Sequence, residues 1–158
     1  MACASLNARL GLTDACGLDL LQPRGRGKLP QIVSGLPSDA YGRGAVAPIL
    51  PNEPTLFFAA GVRNICEDVA VEVVDAAPQT RSPKVRHWTS RAPDTAIADF
   101  VKDVMVLAPS DARAAKARRL LTSHHKSALR QRGTTPTDAL RSTFVVACQS
   151  PSAVSVGL

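Results

Sequence analysis

A chain of 158 residues, 45% of them hydrophobic, can bury one ordinary core and is too short for two comfortable ones. Aromatics are only 4%, so the core must come mainly from Ala, Val, Leu and Ile, which implies modest stability. The net charge is +6, which favours acidic partners over basic ones, and no apolar run is long enough to cross a membrane as a helix.

Residues 1–51 read as an irregular, partly ordered arm. Gln22 to Lys28 is basic and broken by Pro23, Gly25 and Gly27. Pro30, Gly35, Pro37, Gly42, Gly44, Pro48 and Pro51 then punctuate the chain every few residues. The arm is expected to lie across the rest of the protein through Ile32, Val33, Leu36, Tyr41, Val46, Ile49 and Leu50. It lacks the basic start and continuous apolar stretch of a signal peptide.

From residue 52 the pattern becomes helical, and an all-α fold is expected: a small four-helix bundle over 52–158, preceded by the Pro/Gly-rich arm. The first helix is predicted at about 53–76, with Asn52 as cap and Pro54 in its first turn. Phe58, Val62, Ile65, Val69 and Val73 form its apolar face. Asn64, Glu67, Asp68, Glu72 and Asp75 lie on the other side. A polar, basic loop follows, holding His87 and the single tryptophan, Trp88, which is expected to plug the edge of the core.

The second helix is predicted at about 93–108. Ile97, Phe100, Val101, Val104, Met105 and Ala108 make its buried stripe, with Asp94, Asp99, Lys102 and Asp103 facing solvent. The third is predicted at about 111–132, capped by Ser110 and stopped by Gly133. Ala117, Leu121, His124 and Ala128 trace a thin apolar stripe, with Leu120 beside it. The fourth is predicted at about 136–149. Thr135 and Asp138 form a capping pair, Pro136 takes the first position, and Leu140, Phe144, Ala147 and Cys148 form the core face. The tail after Pro151 is apolar enough to dock back on the bundle.

The third helix has the most unusual charge pattern. After Asp111 it carries no acid, yet it holds Arg113, Lys116, Arg118, Arg119, Lys126, Arg130 and Arg132. Arg113, Lys116, Arg118, Arg119, Lys126 and Arg130 are the candidate interaction face. Such a helix can bind phosphates with salt-dependent affinity, but no aromatic interleaves to stack bases. It is expected to be the outer helix.

Catalytic chemistry finds little support. His124 and His125 are adjacent and point about 100° apart on a helix, which is wrong for sharing one metal. Cys3, Cys16, Cys66 and Cys148 have no zinc-ligand spacing. Cys66 and Cys148 read as small hydrophobes on helix faces, and a bridge between Cys3 and Cys16 is the more plausible pairing if the protein is exported. No phosphate-binding loop, dinucleotide fingerprint, nucleophile elbow, zinc-protease helix or haem-attachment sequence is present. No catalytic residues, metal or cofactor are therefore expected.

Two stretches carry a resemblance. Residues 53–76 and 135–158 resemble uncharacterised myxobacterial proteins expected to be exported. The last part is also similar to a small helical domain that accompanies cytochrome c-type modules in planctomycete proteins, through Gly133, Ala139, Leu140, Arg141, Ser150 and Pro151. The resemblance implies an all-α module and an exported protein. It supplies no activity.

The expected function is a non-enzymatic helical structural or protein-interaction module. The alternatives are a nucleic-acid-binding accessory protein using the basic third helix, and a bundle that carries a metal or cofactor. The expected partner is another protein, with nucleic acid as the alternative. Location is expected to be exported or periplasmic if a targeting segment belongs to the native protein, and cytoplasmic otherwise.

Overall fold

The computed structural model describes residues 56–77 and 85–154, with side chains from Val62 to Ala153. The N-terminal arm with its Cys3 and Cys16, the Phe58 side chain and residues 155–158 lie outside the described residues. Within them the fold is all-α, as expected. The helices are α1 (Leu56–Val73), α2 (Pro93–Asp99) continued by a π-helical turn (Phe100–Val104), α3 (Ala112–Leu129), α4 (Pro136–Cys148) and the short α5 (Pro151–Val154). No strand is present among the described residues. Val74 and Trp88 form one isolated bridge.

α4 is the central helix. Its apolar positions recur at helical spacing, so Ala139, Leu140, Thr143, Phe144, Ala147 and Cys148 all become buried. The Thr143 hydroxyl is satisfied inside this face by donating to the Ala139 carbonyl at 2.7 Å. The expected cap is in place: Asp138 N–H donates to Thr135 Oγ1, and Thr135 N–H donates to Asp138 Oδ2. Cys66, Val69, Ala70 and Val73 of α1 pack into the same core.

Cys66 and Cys148 are bonded as a disulfide across this contact, closing a separation of 82 residues. The reading of these two residues as reduced hydrophobes is corrected. Both do lie on apolar faces, and because α1 packs on α4 those faces bring the sulfurs together.

Phe100 and Phe144 fill the centre, and Trp88 closes over them. Phe100 and Phe144 meet edge-on at 5.4 Å, and Trp88 meets Phe100 edge-on at 5.1 Å. Trp88 plugs the core edge as expected. Its indole N–H donates to Asp99 Oδ2 at 3.0 Å, so the buried polar atom is satisfied.

The end of α1 is tied down in several ways. Asp75 turns the chain with φ of +47°, a conformation that Asp tolerates better than most residues. Its carboxylate accepts from Ser90 N–H at 3.1 Å and Thr137 Oγ1 at 2.8 Å. Burial pushes this carboxyl up, but the bonds from Ser90 and Thr137 outweigh that and hold it below its ordinary value. The Arg141 guanidinium of α4 donates to the Val74 carbonyl at 3.1 Å, where a cation suits the helix C-terminus.

α2 departs most from expectation. It does not run as one α-helix to residue 108. Met105 N–H bonds the Phe100 carbonyl at 2.9 Å, five residues back, and the wider turn keeps Phe100, Val101 and Val104 all buried. Val106 then adopts φ of +56° and Leu107 N–H reaches the Val101 carbonyl. This reversal buries Leu107 and leaves Ala108 exposed and Met105 half-buried. Asp99 and Asp103 are half-buried rather than fully solvated. Arg86 bridges them, at 2.9 Å to Asp99 and 2.6 Å to Asp103.

A cationic stripe on the outer face of α3

α3 starts at Ala112 because Asp111, not Ser110, is the cap. Its side chain accepts from Arg113 N–H at 2.8 Å. The helix stops at Leu129, earlier than Gly133 would have placed it. Gly133 instead takes φ of +84° in the turn to α4. α3 and α4 therefore form an antiparallel hairpin.

The buried side of α3 is thin: Ala117, Leu121, His125 and Ala128. His125, not His124, is the buried histidine, so the expected stripe is corrected by one residue. His124 is half-buried at the α4 seam, and its Nε2 lies 2.9 Å from Ser142 Oγ. His125 faces toward Asp94 of α2, and its Nε2 is buried without a hydrogen-bond partner. Burial lowers its pKa below the ordinary value. Asp94 works against that shift, and His124 adds to it.

All six candidate cations are exposed, but they are not equivalent. At 3.6 residues per turn, Lys116, Arg119, Lys126 and Arg130 fall within a sector of about 80° directly opposite the buried side. They form a stripe about 21 Å long at 1.5 Å rise per residue. Arg118 sits on the flank toward α2. Arg113 sits on the flank toward α4 and is committed to Asp111, with Nη2 at 2.7 Å from Oδ2. That contact holds Asp111 down to about 2 and raises Arg113. Lys116, Arg118, Arg119 and Lys126 make no ion pair among the described residues.

Among the described residues, no ion pair links an acid of α1 to this stripe. Glu67 pairs with Arg63 of its own helix at 2.7 Å. The stripe therefore combines like charges at i,i+3 (Lys116 and Arg119) and i,i+4 (Lys126 and Arg130), which costs a helix about 0.2–0.5 kcal/mol per pair. The helix dipole favours Lys126 and Arg130 near the C-terminus, but it does not favour Lys116 in the first turns.

Sequence reasoning missed two apolar neighbours of the stripe. The sequence pattern sets Leu120 beside the buried stripe, yet it is 61% exposed. Val146 of α4 is also exposed. The His124–Ser142 bond sets the register of the antiparallel hairpin. One turn along, Leu120 (four before His124) and Val146 (four after Ser142) fall on the same flank. The missing signal was the pairing of two helices, which no single helical pattern contains.

The arrangement suits anion binding by charge. Among the described residues, no group of three or more His, Cys, Asp or Glu side chains is placed to hold a metal. No helix of the described residues is long and apolar enough to cross a membrane. Comparison with family models, curated proteins and solved structures returns no match for this chain.

Proposed function

We propose that this chain is a non-enzymatic helical interaction module that docks an anionic protein surface through the outer face of α3. The observation that carries the reading is the stripe of Lys116, Arg119, Lys126 and Arg130. The fold makes little use of these charges, and they repel one another along the helix. A partner supplying carboxylates would relieve that repulsion and complement the charge. The resemblance to exported proteins and the buried Cys66–Cys148 bond support a second element of the reading: an oxidising compartment outside the cytoplasm.

The test uses the full oxidised chain and two probes, polyglutamate and a short DNA duplex, titrated between roughly 50 and 200 mM salt. Polyglutamate is expected to bind at low salt, with binding lost in K116E/R119E. Absent binding, or binding that the double reversal leaves intact, overturns the docking face. Duplex binding that is tighter than polyglutamate binding and equally sensitive to the reversal replaces the protein partner with nucleic acid. A thiol count on protein from its native source tests the compartment separately, because free Cys66 and Cys148 would contradict it.

A further inference from the structure

Resting on that reading, we infer that the partner presents an acidic amphipathic helix, which lies along α3 with its carboxylates on the stripe and an apolar residue on the Leu120–Val146 step. The stripe is straight and about as long as four helical turns, which matches a helix laid alongside better than a compact ligand. Carboxylates at i, i+3, i+10 and i+14 of such a helix would run alongside Lys116, Arg119, Lys126 and Arg130, which have that spacing.

The apolar step selects among anions. Leu120 follows Lys116 by one helical turn and Val146 falls level with it by the hairpin register, the two exposed by 61% and 41%. A phosphate backbone gains nothing from covering them. An amphipathic helix does, because its charged face and its apolar face adjoin, as the stripe and the step adjoin here. None of the large exposed hydrophobic side chains among the described residues is aromatic, so no base-stacking surface accompanies the cations. The chain's own N-terminal arm is a poor occupant by charge. Residues 1–51 hold five Arg and Lys (Arg9, Arg24, Arg26, Lys28, Arg43) against three Asp (Asp14, Asp19, Asp39), a net charge of 5 − 3 = +2.

The experiment compares two synthetic helical peptides on the full chain. One carries Glu at the stated spacing with Leu on the adjoining flank, and the other has Ala in place of those Leu residues. The Leu peptide is expected to bind about 10-fold more tightly, which corresponds to about 1.4 kcal/mol of apolar burial. L120S/V146S is expected to erase that difference while leaving the Ala peptide's affinity unchanged, and K116E/R119E to abolish both. L120A alone, at an exposed position, gives the same readout should the double variant fold poorly. Equal affinity of the two peptides, or a difference that survives L120S/V146S, overturns the inference. If polyglutamate binds and neither peptide does, the helical partner falls and the docking face stands. If polyglutamate fails as well, both fall.

Discussion

α3 and α4 are consecutive helices of one hairpin and divide the work between them. α4 has 13 residues and buries six of them; α3 has 18 and buries four. α4 meets α1 through a disulfide, receives the Phe100 and Trp88 rings, and reaches back with Thr137 and Arg141 to the end of α1. α3 contributes two alanines, one leucine and a histidine to the core and directs its cations outward. The difference teaches that stability and recognition are separable here, so substitutions on α4 and α3 should fail in different assays.

The largest effect is expected at the α4 core. F144A removes a fully buried ring from the aromatic cluster and is expected to cost about 3–5 kcal/mol, which urea denaturation would read directly. Opening the Cys66–Cys148 bond, by reduction or as C66A/C148A, releases a loop of about 80 residues. A loss of about 4 kcal/mol is expected from the restored chain entropy. A loss near zero in either case would mean that α4 is not the organising helix.

A middling effect is expected where α4 is laced to α1. D75A leaves Ser90 N–H and Thr137 Oγ1 without their acceptor and is expected to cost about 1–3 kcal/mol. Because the Asp75 carboxyl is held below its ordinary value, its contribution is present at neutral pH. It is lost as the pH falls below about 3.8 toward the folded value. The acid limb of the stability curve should flatten in D75A.

α3 has its own pH signature. His125 is buried with its pKa lowered, so the native state binds fewer protons there than the unfolded chain. Its packing is fully available above the unfolded value near 6.5 and is penalised progressively as the pH falls below that. H125L is expected to reduce the loss of stability between neutral and mildly acidic pH, as thermal melts would show. An unchanged pH profile would place His125 outside the core seam.

The smallest effect is expected at the end of the π turn. Val106 is half-exposed and holds φ of +56°, which a β-branched side chain disfavours. V106G is expected to raise stability by up to about 1 kcal/mol.

Much of this division was legible in the sequence. The capping pair Thr135 and Asp138, the core face of α4 and the acid-free surface of α3 all follow from local spacing. Three features did not, and each depends on a neighbour. The Cys66–Cys148 bond required knowing that α1 packs on α4. The burial of His125 rather than His124 depends on which side α2 approaches. The π turn at Phe100 arises because core contacts hold Phe100, Val101 and Val104 inward together, which the regular α period of the sequence pattern does not encode. The stripe was legible as composition only. Its narrowing from six cations to four came from the helix phase and from the Asp111–Arg113 pair.

The most direct test of this separation is the fourfold reversal K116E/R119E/K126E/R130E, measured for thermal stability and for polyglutamate binding on the same preparation. The fold is expected to survive with stability within about 1 kcal/mol of the parent, since the changes are exposed, while binding disappears. A variant that unfolds, or one that still binds polyglutamate, would contradict the account.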